Sequence, residues 1–194
     1  HEVSYVASFL STNSNQTLLA ENDNSNTFTN PEETIQDMRI GLEVLDSVKI
    51  EYKLVDNWKQ YLETYLLNEN IIEDRQSFAD LLQSKFEQNP NWVLHPYPVA
   101  IPHLKDNMFK KPSILITILE EPIQLQRNQN DLNSVHYLIS MFIPDNQKMA
   151  QFVSVLSEAL SEHLNDIEEF MQNPYEFKTI LRNKLLNQIK NQLQ

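Results

Sequence analysis

Glycine occurs once in the 194 residues, at Gly41, and cysteine does not occur at all. With one glycine there can be no Gly-rich phosphate cradle of either the Walker or the dinucleotide type, because those loops need backbone to approach phosphate where no side chain stands. Without cysteine there are no disulfides, thiolate metal sites or cysteine nucleophiles, a composition compatible with a reducing compartment. Positive charge is scarce too: 15 Lys plus Arg against 27 Asp plus Glu leave a formal net charge of -12. That balance repels a polyanionic backbone, so direct nucleic-acid binding by this segment is not expected. No apolar run reaches the length of a membrane span and no signal peptide is visible, so no membrane insertion is expected and the cytoplasm is the expected location. The first residue is His1 rather than Met, which reads as a piece excised from a longer protein. Neither a Gly-x-Ser-x-Gly elbow nor a His-Glu-x-x-His helix is present to build a hydrolase or metalloprotease around.

What remains is 41% hydrophobic, enough for one good core and one main domain. Residues 1–30 divide into "HEVSYVASFL", a strand or the last turn of a helix, and a run of Asn, Ser and Thr that reads as a linker or insert. The domain is placed at 31–194. It opens with an amphipathic helix carrying Asn30 as N-cap, Pro31 in the first turn, and Ile35, Met38, Leu42 and Leu45 on one face. Two more helices follow through Trp58, Tyr61, Leu62, Tyr65 and Leu66 and through Phe78, Leu81, Leu82 and Phe86, with the aromatic stripe expected in the core. "WVLHPYPVAIPH" is proline-rich and therefore edge or irregular extended chain. "SILITILEEPIQL" and "VHYLISMFIP" have the near-continuous apolar character of inner strands covered on both faces. Two helices close the chain, the last starting at Asn-Pro. The expected class is α/β or α+β, a small mixed sheet flanked by helices.

Histidine is the side chain whose neutral ring can act as nucleophile or base near pH 7. His1 is terminal and uninformative. His163, among Ser161, Glu162 and Asn165, reads as a solvated helix face, and His136 as a structural histidine at the start of a core strand. His95 shares the proline-rich loop with His103 and fits no metal spacing. His103 is the mild favourite for a functional role, because Pro102 fixes its own φ and restricts Ile101 to extended geometry, which can aim the ring.

Four blocks in order, "VAIPH" at 99–103, "KKPSILITILEEPIQL" at 110–125, "VHYLISMFIPDNQKMAQFVSVLSEAL" at 135–160 and "NPYEFKTIL" at 173–181, resemble the fructose/mannitol-type enzyme IIA domain of the bacterial sugar phosphotransferase system. The resemblance implies that fold, with His103 as phosphate acceptor, and no cofactor or metal. It implies an HPr-type phosphocarrier as donor and an enzyme IIB or neighbouring regulatory domains as recipients, and it is compatible with a homodimer. The family's usual Arg-Glu pair before the motif has Lys85 and Glu87 approximately in its place, and Pro98 stands in a stretch where a glycine is common. The family's second active-site histidine aligns with Met149, whose thioether supplies neither proton nor charge to a phosphate. His95 and His136 are the side chains left to compensate.

Three readings follow. The preferred one is a phosphorylation-responsive module at the C-terminal end of a transcription regulator or antiterminator, supported by the similarity of "HEVSYVASFL" to an "EIAYIALH"-type helix of such regulators. The others are a phosphocarrier relaying phosphate in sugar uptake, and a degenerate domain that only makes contacts. An acceptor must show one ring nitrogen to solvent in a shallow depression, whereas a structural histidine is buried and hydrogen-bonded. If His103 proves fully enclosed, both phosphorylation readings fail.

Overall fold

The computed structural model describes residues 31–88, 92–128, 131–146 and 150–192. The segment 1–30, with Asn30, and Met149 lie outside the described residues. The chain divides into two compact units, one spanning Lys49–Gln147 and the other formed by the chain on either side of it.

The central unit is a mixed five-stranded sheet with two helices. Its strands are β1 (Lys49–Lys53), β2 (Val99–Ala100), β3 (His103–Lys105), β4 (Ser113–Asn128) and β5 (Asp131–Ile143). They run in the order β1-β4-β5-β2, with β3 also on β5. β4 and β5 are antiparallel neighbours, β1 is parallel to β4, and β2 and β3 are parallel to β5. Where the two long strands are apolar, from Ile114 to Ile116 and from Leu138 to Ile143, they are buried, as expected of inner strands. Beyond the irregularity between Ile118 and Ile123, where Pro122 brings no ladder donor, burial alternates: Leu125 and Val135 are inside, Gln124 and Ser134 outside. β1 is an edge strand, largely exposed and bounded by lysines, and its sequence carries too little apolar character to announce a strand.

The helices α2 (Trp58–Asn68) and α3 (Arg75–Gln88) lie where the aromatic periodicity predicts them. The Asn57 side chain caps α2 by accepting the Gln60 N–H at 3.1 Å. The helix stops at Asn70, whose φ of 56 is the left-handed geometry that asparagine tolerates. Leu62 and Leu66 bury into a core shared with Phe78, Leu82, Trp92, Phe109, Leu115 and Phe142. Two tyrosines tie α2 to the strands. The Tyr65 hydroxyl is 3.1 Å from Ser113 Oγ. The Tyr61 hydroxyl donates to Glu51 at 2.6 Å and stands 3.0 Å from Thr117 Oγ1, two residues that are themselves in register across β1 and β4.

The flanking unit is helical: α1 (Pro31–Asp46), α4 (Ala150–Glu162), a 3-10 turn (Leu164–Asp166), α5 (Ile167–Met171) and α6 (Pro174–Gln192). α1 packs against α4 and α6. Gly41 sits where a Cβ would come within 3.2 Å of the fully buried Phe152, so α1 approaches α4 by giving up a side chain. Two expectations about histidines are corrected here. His163 is no solvated face residue: it follows α4, stacks on Phe170 at 4.0 Å between centroids and lies 3.4 Å from Asp166 Oδ1. His136 lies within β5 rather than at its start.

Burial, followed by the hydrogen bond to Glu51, raises the Tyr61 pKa well above the usual phenol range. The folded value exceeds the unfolded one, so this stabilisation is intact below the unfolded value near 10 and is lost as pH rises toward the folded value. Tyr61→Phe is expected to cost about 1–2 kcal/mol in urea unfolding near neutral pH. The gap between the two proteins should narrow above about pH 10, and a constant penalty across that range would contradict this account.

Candidate functional site

Residues 92–105 build the region around His103. Val93 bridges Ala100 in antiparallel fashion, the Leu94 N–H bonds the Val99 carbonyl at 2.9 Å, and the Tyr97 N–H closes on the Leu94 carbonyl at 2.8 Å. This short hairpin, with a cis His95–Pro96 peptide in its turn, lies along β5 through Val99 and Ala100 opposite Tyr137 and Leu138. The Pro102 carbonyl then accepts the Met141 N–H at 2.8 Å. His103 starts β3 in register with Met141.

Ile101 holds the site together. Its N–H donates to the Trp92 carbonyl at 2.8 Å, and its carbonyl lies 2.7 Å from His103 Nδ1. A carbonyl only accepts, so Nδ1 carries the proton, and in the neutral ring the lone pair stands on Nε2. The imidazole is thereby fixed in one tautomer and one orientation.

The expected solvent-facing nitrogen is not found. His103 is 4% exposed and the neighbouring Trp92 2%, with ring centroids 6.1 Å apart and planes inclined at 52°. Trp92 is in turn packed by Trp58 at 6.3 Å and Phe86 at 5.8 Å, and those two rings meet at 5.5 Å. The Lys59 ammonium lies 4.8 Å from the Phe86 centroid and 5.7 Å from that of Trp58, within cation–π range.

Of the supporting residues chosen from sequence, His95 and His136 do not gather here. His95 Nδ1 is 2.9 Å from the Asn133 side-chain oxygen. Asn133 and Met141 are eight residues apart on β5, about 27 Å at the rise of an extended strand. His136 is five residues from Met141 on the same strand, about 17 Å. Neither ring can assist His103. Lys85 is in the last turn of α3, beside Phe86, and Glu87 accepts from Gln83 at 3.0 Å. Met149 is outside the described residues. Sequence reasoning missed Ile101 and Trp92 as partners of His103. Their only signal was position: one precedes the Pro-His pair, the other opens the extended segment.

Among the described residues no group of three or more His, Asp or Glu could hold a metal ion, and no helix is long and apolar enough to cross a membrane. The arrangement at His103 is an imidazole oriented by a backbone carbonyl and kept from solvent. Nitrogen-15 NMR of the histidine rings should show the neutral form of His103 carrying its proton on Nδ1. Diethyl pyrocarbonate should modify the exposed His95 well before His103, and the reverse order would mean that the ring is open in solution.

Residues 43–184 match the model of a family described as the phosphoenolpyruvate-dependent sugar phosphotransferase system, EIIA 2. Among solved structures, the nitrogen regulatory protein IIA-Ntr of Neisseria meningitidis is similar at 19% identity and a TM-score of 0.51, over 74% of this chain and 99% of its own. A structure assigned as a PTS IIA domain from Streptococcus pyogenes M1 GAS is similar at 18% identity and a TM-score of 0.53, over 81% of this chain and 97% of its own. Both likenesses concern the fold. Curated protein sequences give no significant match.

Proposed function

This chain belongs to the EIIA 2 family of the phosphoenolpyruvate-dependent sugar phosphotransferase system, and we propose that it is a regulatory member, with His103 as a phosphoryl acceptor kept covered at rest. The observation that carries this reading is the hydrogen bond from His103 Nδ1–H to the Ile101 carbonyl. It sets the lone pair on Nε2 and preorganises the ring for attack. In the step itself, Nε2 attacks the phosphorus of an N-phosphorylated histidine on an HPr-type donor. The new P–Nε2 bond forms as the donor's P–N bond breaks, and the electron pair returns to the donor imidazole. The Ile101 carbonyl disperses the positive charge that the attack leaves on the His103 ring.

The 4% exposure of the ring goes against both phosphorylation readings in the form that has the nitrogen open at rest; in a form that requires opening, it weighs less against a sensor than against a relay. A carrier must meet donor and recipient in every cycle, and each meeting would need the site to open. A switch needs to open only when phosphate supply changes. In this reading the phosphorylated module alters its contacts with neighbouring domains of a transcription regulator or antiterminator, while an enzyme IIB recipient belongs to the carrier alternative. The same exposure also favours a second reading, a silent interaction domain that never takes phosphate, to which the Met149 alignment adds weight.

The decisive experiment is incubation of the purified chain with phosphoenolpyruvate, the general phosphotransferase enzyme and HPr, beside His103→Ala. Acid-labile phosphate on the parent and none on the variant is the expected result, at a rate well below that of HPr phosphorylation. Uptake as fast as a carrier's would favour the relay. No uptake from a donor system proven active would leave the silent domain.

A further inference from the structure

We infer that Trp92 is the positioning residue of this site, and that displacement of its indole decides when His103 Nε2 can be reached. The inference rests on the acceptor reading for its meaning, though not for its test.

Trp92 is coupled to His103 by two independent routes. One is ring contact at 6.1 Å between centroids. The other runs through Ile101, whose two ends bind the Trp92 backbone and the His103 ring: Trp92 C=O accepts from Ile101 N–H at 2.8 Å, and Ile101 C=O accepts from His103 Nδ1–H at 2.7 Å. A shift of the Trp92 backbone therefore moves the carbonyl that orients the imidazole. Cover and orientation change together.

The indole is braced from two helices by rings of unequal burial. Trp92 is 2% exposed, whereas Trp58 at the start of α2 and Phe86 near the end of α3 are only half-buried. The brace thus reaches the surface, where Lys59 lies over both outer rings. Aromatic pairs of this geometry are individually weak, so the cover is held by several small contacts. Such an assembly opens locally at a cost below that of global unfolding. A phosphoryl dianion approaching from the Lys59 side attracts the ammonium that steadies the outer rings.

The test is the rate of carbethoxylation of His103 by diethyl pyrocarbonate, read residue by residue by peptide mass spectrometry on the full chain. His95, exposed and far along β5, serves as internal reference. Phe86→Ala and Trp92→Phe are expected to raise the His103 rate roughly three- to tenfold, the range set by losing one or two ring contacts, with His95 unchanged. Phe109→Leu is the stability control, since its ring contacts are Phe78 and Phe142; it should leave His103 protected. Phe86→Leu replaces Phe86→Ala if the latter does not fold.

Equal His103 rates in the parent, Phe86 and Trp92 chains overturn the inference. So does an equal acceleration in Phe109→Leu, which would make general loosening the cause. The reagent needs no phosphoryl donor, so failure of the acceptor reading registers separately. Faster modification without phosphate uptake would keep the cover and remove the function. Phosphate uptake with modification rates unmoved would do the opposite.

Discussion

The antiparallel ladder between β4 and β5 is the constraint from which the central unit takes its geometry. β1 is registered on β4, while β2 and β3 are registered on β5. The hydroxyls of Ser113 and Thr117 on β4 meet the two tyrosines of α2. β5 also acts as a ruler for the histidines: Asn133 holds His95 near one end and Met141 stands beside His103 near the other. The strand separates by length two residues that the primary structure places only eight positions apart.

That separation shows how far the sequence is legible. Helical periodicity located α1, α2, α3, α4 and α6, because each has a long apolar stripe and three of them begin at an Asn or Pro signal. The continuous apolar runs located β4 and β5 for the same reason of length. β1 escaped because five residues with lysines at both ends leave almost no hydrophobic pattern; its pairing is supplied by β4. At the site, His103 was legible from the Pro-His motif and the family blocks. Its surroundings were not. Trp92 and Ile101 are recruited by hairpin hydrogen bonds, which leave no trace in residue spacing, and His95 is drawn away by a turn whose direction the proline count does not reveal.

The enclosure of His103 changes the weight of the functional alternatives more than the family match does. Family membership supports an acceptor, and the Ile101 carbonyl gives the ring the tautomer an acceptor needs. Burial works against rapid exchange with solvent-borne partners. The two observations agree if transfer is occasional and coupled to movement of the neighbouring indole, and they conflict if transfer is continuous. A buried imidazole with a surface-reaching brace suits the proposed regulatory reading better than a continuous relay.

Gly41 has a consequence beyond the helix contact it permits. Its place is a close approach between helices rather than a turn, and no other glycine exists in the chain. Turns are therefore made by residues with narrower backbone freedom, as at Asn70, which takes the left-handed position after α2. A chain built in this way samples fewer conformations before it folds, and so gives up less entropy on becoming ordered. The near absence of glycine is a form of stabilisation exerted on the unfolded ensemble, invisible in any list of native contacts.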